Sequence, residues 1–509
     1  MPLSCFPVLG TGQSETIRVI YAGRHWTRRP NLCDISLDGS QFNNNKTCKH
    51  NDNQPPPELT GAFEKFCQIV PEERIEQLLE GHSAFSQDGP LSAFVVLWLM
   101  LFQRLHPKGT LAVAMRELLF GPIRSFVRLP EGESPSANTS AYSQARTRLP
   151  LAVAEKVSDM IFESLHAQPR TLPGLQWPVF LLDGSSILLQ HTEELVRAYP
   201  PAENQHGSSH WPVMRVVVAH DVVSGLAVRP SWGPMYGPHA VSEQDLAKLV
   251  MRWRTECAVF LGDRNFGVFS MAYEAQQNKH RVLFRLTDAR AQKLHGGTLP
   301  KDGTDCAVHW TPSRDDLRTN PEIPATAYVD GRLLACKVRG KNGQWITLYL
   351  FTTLDLSMDQ ILELYGYRWN IETDLRSLKR QVRLHMLDVK SAAMSAKELV
   401  LGVAAYNLTR GTMNEAASAL QLDPRELSFS QAQDTINAAL PALANATTDE
   451  ERKVIIQQMV RVFAQSKLPR RAGRSFPREI WPRPCSFPKR KVATKRKAAK
   501  ARKARIKTA

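Results

Sequence analysis

The segment from Trp177 to Leu286 changes its hydrophobic period repeatedly, and this order of elements most constrains the fold. WPVFLLDGSS reads as a buried strand ending in a turn, and WPVMRVVVAHD and GLAVRPSW read as two strands joined by VVSG. The helix SEQDLAKLVMRW follows, with Ser242 as its candidate N-cap, and then the strand AVFLGD. The helix GVFSMAYEAQQNK and the strand RVLFRL come next. The sequence therefore predicts an α/β core with the order strand, strand, strand, helix, strand, helix, strand.

The regions around this core have different patterns. Residues 1–58 are polar and without period, so we expect a poorly ordered extension, whereas 59–170 are predicted as a helical N-terminal domain. Residues 287–355 are rich in turns and β-formers, and MDQILELYGYRWNIETDLRSLKRQV is predicted as one long helix. Residues 394–466 are helical again and could supply a dimer interface.

Length and composition exclude several classes of protein. A chain of 509 residues exceeds one ordinary core, so several domains are expected. The longest apolar run, LSAFVVLWLMLF, is shorter than the roughly 20 residues needed to cross a bilayer, and the N-terminus is a poor signal peptide. The 8 cysteines form no CxxC pair, which argues against a zinc site or disulfide framework and fits a reducing cytoplasm.

The net charge of +16 resides in the C-terminal segment 467–509. This segment holds 17 lysines and arginines and a single acid, Glu479, so the rest of the chain is neutral. Such a run repels itself, and we expect a disordered tail that binds a polyanion, most simply nucleic acid. A purely solubilising tail is the alternative, and an amphipathic membrane helix is disfavoured because apolar residues are scarce.

Two aspartates are candidate metal ligands because each closes an apolar strand. Asp183 follows FLL and Asp263 follows VFLG, so a strand would fix each carboxylate while the next loop leaves coordination positions open. The alternative for each is an ordinary turn residue.

The third candidate, Glu372, lies on the long helix. Tyr365, Arg368, Glu372 and Lys379 fall within an arc of about 60° at the α-helical period, with Arg376 nearby. A carboxylate among cations suits a metal site that handles phosphate, the acid binding the metal and the cations binding the anion. A solvated, salt-bridged helix face is the alternative.

These residues carry a resemblance to a known family. YGYRWNIETDLRSLK matches Y-x2-R-x3-E-x6-K, the signature of the insertion-sequence-four family of DDE transposases. The DGSS and GDRNFG segments resemble the contexts of the family's first and second aspartates, and AYSQARTRLP, SEQDLAKLV and ELVLGVAAYNLTR also look like family segments. The resemblance covers about 59–465.

The resemblance implies a fold and a set of ligands. It implies a ribonuclease-H-like catalytic core over 171–286 and 356–393, interrupted by a β-rich insertion domain over 287–355. Asp183, Asp263 and Glu372 would be the catalytic acids and would hold two Mg²⁺, with Mn²⁺ able to substitute.

The resemblance also implies a reaction and partners. The transposase would nick the element's ends, form and open a DNA hairpin, and join the ends to target DNA. Tyr365, Arg368 and Lys379 would hold phosphates, and Trp345, or alternatively Tyr349, would stack on a flipped base. We expect a homodimer on the terminal inverted repeats, located in the cytoplasm at the nucleoid. The alternatives are an inactive or repurposed DNA-binding protein and a ribonuclease-H-like nuclease that does not join strands.

Overall fold

The computed structural model describes residues 61–468, apart from 81–88, 131–132, 168, 170, 205–206 and 340–343. The predicted N-terminal extension and almost all of the predicted basic tail lie outside the described residues. The α/β class is confirmed, because the described chain combines a large mixed sheet with many helices.

Within the described residues six α-helices precede the sheet, and a capping side chain marks the start of three of them. Ser92 and Thr110 accept hydrogen bonds from the backbone three residues on, and Asn138 does so two residues on. The second half of the predicted apolar run is buried on every side, as expected for a core helix. The helices are α1 (Ala62–Ile69), α2 (Glu72–Leu78), α3 (Ala93–Leu105), α4 (Leu111–Phe120), α5 (Thr139–Arg148) and α6 (Leu151–Leu165).

Ten strands of the described part of the chain form one sheet. Its main path runs β2-β3-β1-β5-β6-β9-β8-β7, with β4 paired to β3 and β10 paired to β1. Strands β5 and β6 run parallel to β1 and to each other, whereas β3 is antiparallel to β1. The strands are β1 (Val179–Leu189), β2 (Pro201–Asn204), β3 (Gly207–Asp221), β4 (Ser231–Pro234), β5 (Val259–Gly262), β6 (Arg281–Arg285), β7 (Thr304–Trp310), β8 (Val329–Arg339), β9 (Trp345–Thr352) and β10 (Met386–Leu387).

Strand β1 is longer than the sequence predicts. We expected a turn at DGSS, but β1 continues through Asp183 to Leu189. The reason is its antiparallel partner: β3 pairs with it from Phe180 to Leu188 and so satisfies the backbone beyond the aspartate. On the other side, β5 ends at Gly262, so Asp183 lies where the parallel partner stops.

The two faces of the sheet are covered by different helices. Side chains alternate along a strand, so Phe180 and Phe260 point to one face and Leu181 and Leu261 to the other. The first face packs against α8 (Glu243–Arg252) and α9 (Phe269–Gln277). The second face packs against the helical segment that begins at Met358. The short helix α7 (Glu193–Ala198) follows β1.

The segment predicted as a β-rich insertion continues the core's own sheet. Its last strand, β9, pairs antiparallel with β6, and β8 and β7 follow outward from it. The segment also contains α10 (Asp288–Leu294) and α11 (Arg314–Thr319). Its strands therefore cover what would otherwise be the open edge of β6.

The predicted long helix is continuous but not uniformly α-helical. It consists of α12 (Met358–Gly366), a 3₁₀ turn (Tyr367–Trp369), α13 (Asn370–Arg376) and a π turn (Ser377–Gln381). The prediction of one long helix is therefore confirmed, but the winding tightens and then loosens around Glu372. Single π turns of this kind are frequent at functional sites.

The C-terminal helices join the N-terminal helices in one hydrophobic core. Helix α14 (Ala392–Ala419) packs on α1, α3 and α6 and is buried around its whole circumference in its middle. It is followed by α15 (Phe429–Asn445) and α16 (Asp449–Gln465). None of the described helices is both long and apolar enough to cross a membrane.

Two neighbouring charged residues of α14 bind the N-terminal helices. Lys397 Nζ donates to the carbonyls of Arg146, Thr147 and Leu149 at 2.9–3.0 Å. Glu398 is buried and pairs with Arg104 and Arg146. All three ammonium protons of Lys397 thus reach acceptors, and the carboxylate of Glu398 is neutralised.

Candidate active site

Three charged residues lie side by side at matching positions of three adjacent parallel strands, Asp263 directly after the end of its strand. Leu181 pairs with Leu261, and Gly262 pairs with Phe284. Continuing these registers brings Asp183, Asp263 and Arg285 opposite one another, with neighbouring strands about 4.8 Å apart.

These three residues share the sheet face covered by the helical segment from Met358. They continue the alternation of Leu181, Leu261 and Leu283, which pack with Ile361 and Ile371 on that face. Asp183 and Asp263 are half-buried there. The two predicted aspartates are therefore brought together, beneath the helix that carries the predicted third acid.

Burial dominates the electrostatics of Asp183. It raises the pKa of this carboxyl to about 6, and the nearby carboxylates of Asp263 and Glu243 act in the same direction. The backbone N–H of Gly184, which donates to Asp183 Oδ1 at 2.8 Å, and the Arg368 guanidinium oppose the rise. A carboxylate whose charge is costly without a partner favours a bound cation.

Tyr365 and Arg368 lie above this edge of the sheet. Burial raises the pKa of Tyr365, which is 6% exposed and feels the charges of Arg368, Arg285 and Asp263. The Tyr365 hydroxyl and the Arg368 guanidinium are neighbours, but within the described part of the chain neither Tyr365 Oη nor Arg368 Nε makes a hydrogen bond of ordinary geometry. Buried donors rarely stay unpaired, so these two point to an anionic ligand.

Glu372 is placed differently. Helix α13 packs against β1, with Ile371 and Asp374 buried and Glu372 exposed between them. Among residues 61–468 as described, no three His, Cys, Asp or Glu side chains lie close enough to hold a metal ion. The structure thus brings Asp183 and Asp263 together without adding Glu372, and the convergence of all three stays a prediction.

Lys379 lies in the π turn and is half-buried. Burial lowers the pKa of its ammonium, and the adjacent Arg380 lowers it further. Because the 3₁₀ and π turns change the angle per residue, the predicted arc of about 60° does not apply to the real segment.

The two aromatic candidates differ in exposure. Trp345 begins β9 at the end of the β8–β9 hairpin and is 53% exposed, as a stacking residue requires. Tyr349, four residues on, is buried in the core beneath α9 and α10. Tyr349 is therefore a core residue, and Trp345 stays the predicted stacking residue.

Sequence reasoning missed Arg285. Burial lowers the pKa of its guanidinium, and Tyr365, Asp263 and Arg368 all lie within electrostatic reach. A signal was present, because Arg285 follows Leu283 by two residues in RVLFRL and so faces the same side. Glu243 and Asn265 were also missed, and their positions emerge only from contacts between segments.

A buried ion cluster anchors α13. Asp374 is fully buried and accepts hydrogen bonds from Arg425 Nη1 at 2.6 and 2.7 Å and from Arg410 Nη2 at 2.7 Å. Arg425 also donates to the carbonyls of Asp221 and Val222, at the end of β3. The helix that carries Glu372 is thereby joined to α14 and to the sheet.

Comparison with known proteins adds an independent finding. Residues 177–408 match the family described as "Transposase DDE domain", a span that includes Asp183, Asp263 and Glu372. The protein "Transposase InsG for insertion sequence element IS4" from Escherichia coli (strain K12) is 24% identical to this chain over 388 residues. That alignment covers 71% of this chain and 80% of the relative.

Proposed function

Because this chain belongs to the insertion-sequence-four family of DDE transposases, we propose that it cuts an insertion sequence at its ends and joins them to target DNA. The observation that carries the proposal is that Asp183 and Asp263 lie side by side beneath two buried donor atoms, Tyr365 Oη and Arg368 Nε, that make no hydrogen bond of ordinary geometry within the described chain. Carboxylates for a cation and buried donors for a phosphate are what phosphoryl transfer requires.

The core of this transposase is a ribonuclease-H-like fold. The strand order β4-β3-β1-β5-β6 supports it, with β5 and β6 parallel to β1 and β3 antiparallel. The helix that carries the third acid then lies across the strand ends that carry the first two.

Asp183 and Asp263 fit a divalent metal site in chemistry and burial, and Glu372 would complete the ligand set from α13. Mg²⁺ suits such a site because it takes a few carboxylates and keeps positions open for phosphate oxygens and water. When bound, two Mg²⁺ would activate the attacking hydroxyl and stabilise the leaving oxygen, and Mn²⁺ would substitute for them.

The remaining residues bind and orient the DNA. Arg368, Lys379 and Arg285 donate to phosphate oxygens, and the Tyr365 hydroxyl donates to the same group. Trp345 stacks on a base that leaves the duplex, which offsets the few kcal/mol that unpairing costs.

The reaction is a series of in-line phosphoryl transfers without a covalent protein intermediate. The first transfer nicks the element's end and frees a 3′-hydroxyl. That hydroxyl attacks the opposite strand to form a hairpin, which is opened before the ends are joined to target DNA.

We propose a homodimer, one protomer for each terminal inverted repeat, acting in the cytoplasm at the nucleoid. Within 394–466, most of the exposed residues lie on helices α15 and α16.

The test compares Asp183→Ala, Asp263→Ala and Glu372→Ala on end-containing DNA with Mg²⁺. Each variant should lose cleavage while keeping its affinity for the end in a gel-shift assay. Glu363→Ala, on the exposed side of α12, is the matched control and should cleave normally. Cleavage without strand joining by the wild type would favour a nuclease, and end binding without cleavage would favour an inactive DNA-binding protein.

A further inference from the structure

A carboxylate outside the predicted set contacts residues that neighbour both aspartates. Glu243 is the first residue of α8, and its Oε2 accepts a hydrogen bond from Asn265 Nδ2 at 2.6 Å. The next residue, Gln244, donates to the carbonyl of Asn265 at 2.7 Å. The beginning of α8 is therefore bound twice to the loop that follows Asp263.

Asn265 transmits this contact to Asp263. Its backbone N–H donates to Asp263 Oδ1 at 2.8 Å, closing a turn around the aspartate. The following Phe266 is 1% exposed, and its N–H donates to the Asp263 carbonyl at 3.2 Å. The orientation of the Asp263 carboxylate thus depends on where Asn265 is held.

The same carboxylate contacts the residue after Asp183. A Cβ at Gly184 would lie 2.5 Å from Glu243 Cδ, so the carboxyl group of Glu243 lies directly against this glycine. Gly184 in turn donates its N–H to Asp183 Oδ1. Glu243 therefore lies against the backbone that orients Asp183, and it accepts a hydrogen bond from the side chain of Asn265, whose backbone N–H orients Asp263.

Helix capping does not account for this placement. Ser242 and Asp245 already form a complete capping box at the start of α8. Glu243 adds a favourable charge at the positive end of the helix, but that would not require the side chain to reach Asn265 and Gly184.

We infer that Glu243 is a positioning residue, which holds Asp183 and Asp263 in register through Gly184 and Asn265. The inference rests on the proposed function, because it assumes that the two aspartates bind the divalent cation. Glu243 itself need not touch that cation. Partners that orient metal ligands in this way typically contribute about 10- to 100-fold to metal affinity or activity.

The test uses the full-length protein and the variants Glu243→Ala, Asn265→Ala, their double mutant, and Glu243→Gln. Two quantities are measured: cleavage of end-containing DNA, and Mn²⁺ binding to the DNA-free protein by calorimetry. We expect each alanine variant to lose about 10- to 100-fold in both. The double mutant should lose no more than either single mutant, since both remove one contact. Glu243→Gln should retain most of both, because its amide oxygen can still accept from Asn265.

The matched control is Asn278→Ala, which breaks an Asn–Glu hydrogen bond of 2.8 Å to Glu274, along α9 and away from the strand ends. It should leave both quantities unchanged. Thermal unfolding identifies variants that misfold. If Glu243→Ala misfolds, the inference is tested with Asn265→Ala and Glu243→Gln instead.

Two results would overturn the inference. One is normal cleavage and Mn²⁺ binding in both alanine variants. The other is a Glu243→Gln variant as damaged as Glu243→Ala beside a normal Asn265→Ala, which would mean that the charge of Glu243 acts directly. Failure of the proposed function is distinguishable, since either the wild type would then not cleave or Asp183→Ala would still cleave.

Discussion

Replacing Asp374 by Asn should destabilise the protein by about 3–5 kcal/mol, the usual cost of removing one partner from a buried ion pair. The carboxylate is fully buried and neutralises two guanidiniums, those of Arg410 and Arg425. Asn has nearly the same shape, so the loss would come from charge and not from a cavity. The change leaves two cations in the interior without their counter-ion.

The magnitude can be bracketed by a second variant. Arg410→Met removes the hydrogen bonds to Asp374 and to Tyr406 Oη but keeps the pair of Asp374 with Arg425, so about 2–4 kcal/mol is expected. The free energy of unfolding, measured by urea titration with the slope held common, gives both values. A loss of under about 1 kcal/mol for Asp374→Asn, the value for an exposed pair, would refute the reasoning.

The same variant has a functional consequence. Asp374 and Glu372 share α13, so weakening the anchor should displace Glu372 and lower the cleavage rate at temperatures where the variant is still folded. Burial raises the pKa of Asp374, but Arg425 and Arg410 outweigh it and hold the pKa below its ordinary value. This stabilisation is complete above pH 4 and is lost as the pH falls further, so the Asn penalty should shrink in acid.

Three further predictions concern separate parts of the chain. Burial raises the pKa of Glu117 from 4.5 to about 7, so the stability of the protein falls as the pH rises through that range. Glu117→Gln keeps an acceptor for Trp98 Nε1. Its melting temperature should therefore exceed that of the wild type at pH 8 but not at pH 5. Lys379→Ala should reduce the salt dependence of end binding by about one phosphate contact, and an unchanged slope with normal cleavage would contradict its role. Truncation after Ser466 should preserve the cleavage position and lose affinity for random DNA, most at low salt. Loss of specific end binding alone would mean instead that the tail recognises the terminal repeat.

The α/β class could be predicted because each core strand carries its own apolar pattern. The extent of β1 could not, since what prolongs it beyond Asp183 is pairing with β3, which no local pattern encodes. For the same reason, Asp183 and Asp263 were recognisable singly, whereas Arg285 becomes significant only through the register of three parallel strands.

The helix around Glu372 shows a second limit. A single period of 3.6 residues describes α12 and α13 but misses the 3₁₀ and π turns, because tertiary packing sets the local winding. The sequence also predicted the N-terminal and C-terminal helices as separate regions, whereas the structure packs them in one hydrophobic core. Helix α14 has apolar residues on all sides, and this was the available sign that other helices would surround it.

The burial of α14 bears on how the protein is made. The surfaces of α3 and α6 that it covers are completed only by residues 392–419, more than 225 positions after α6 ends at Leu165. During synthesis these apolar surfaces emerge from the ribosome long before their partner, and closing so long a loop is slow. Translation that stops before α14 therefore yields a chain with an open core, so that a folded protein requires synthesis at least through Ala419.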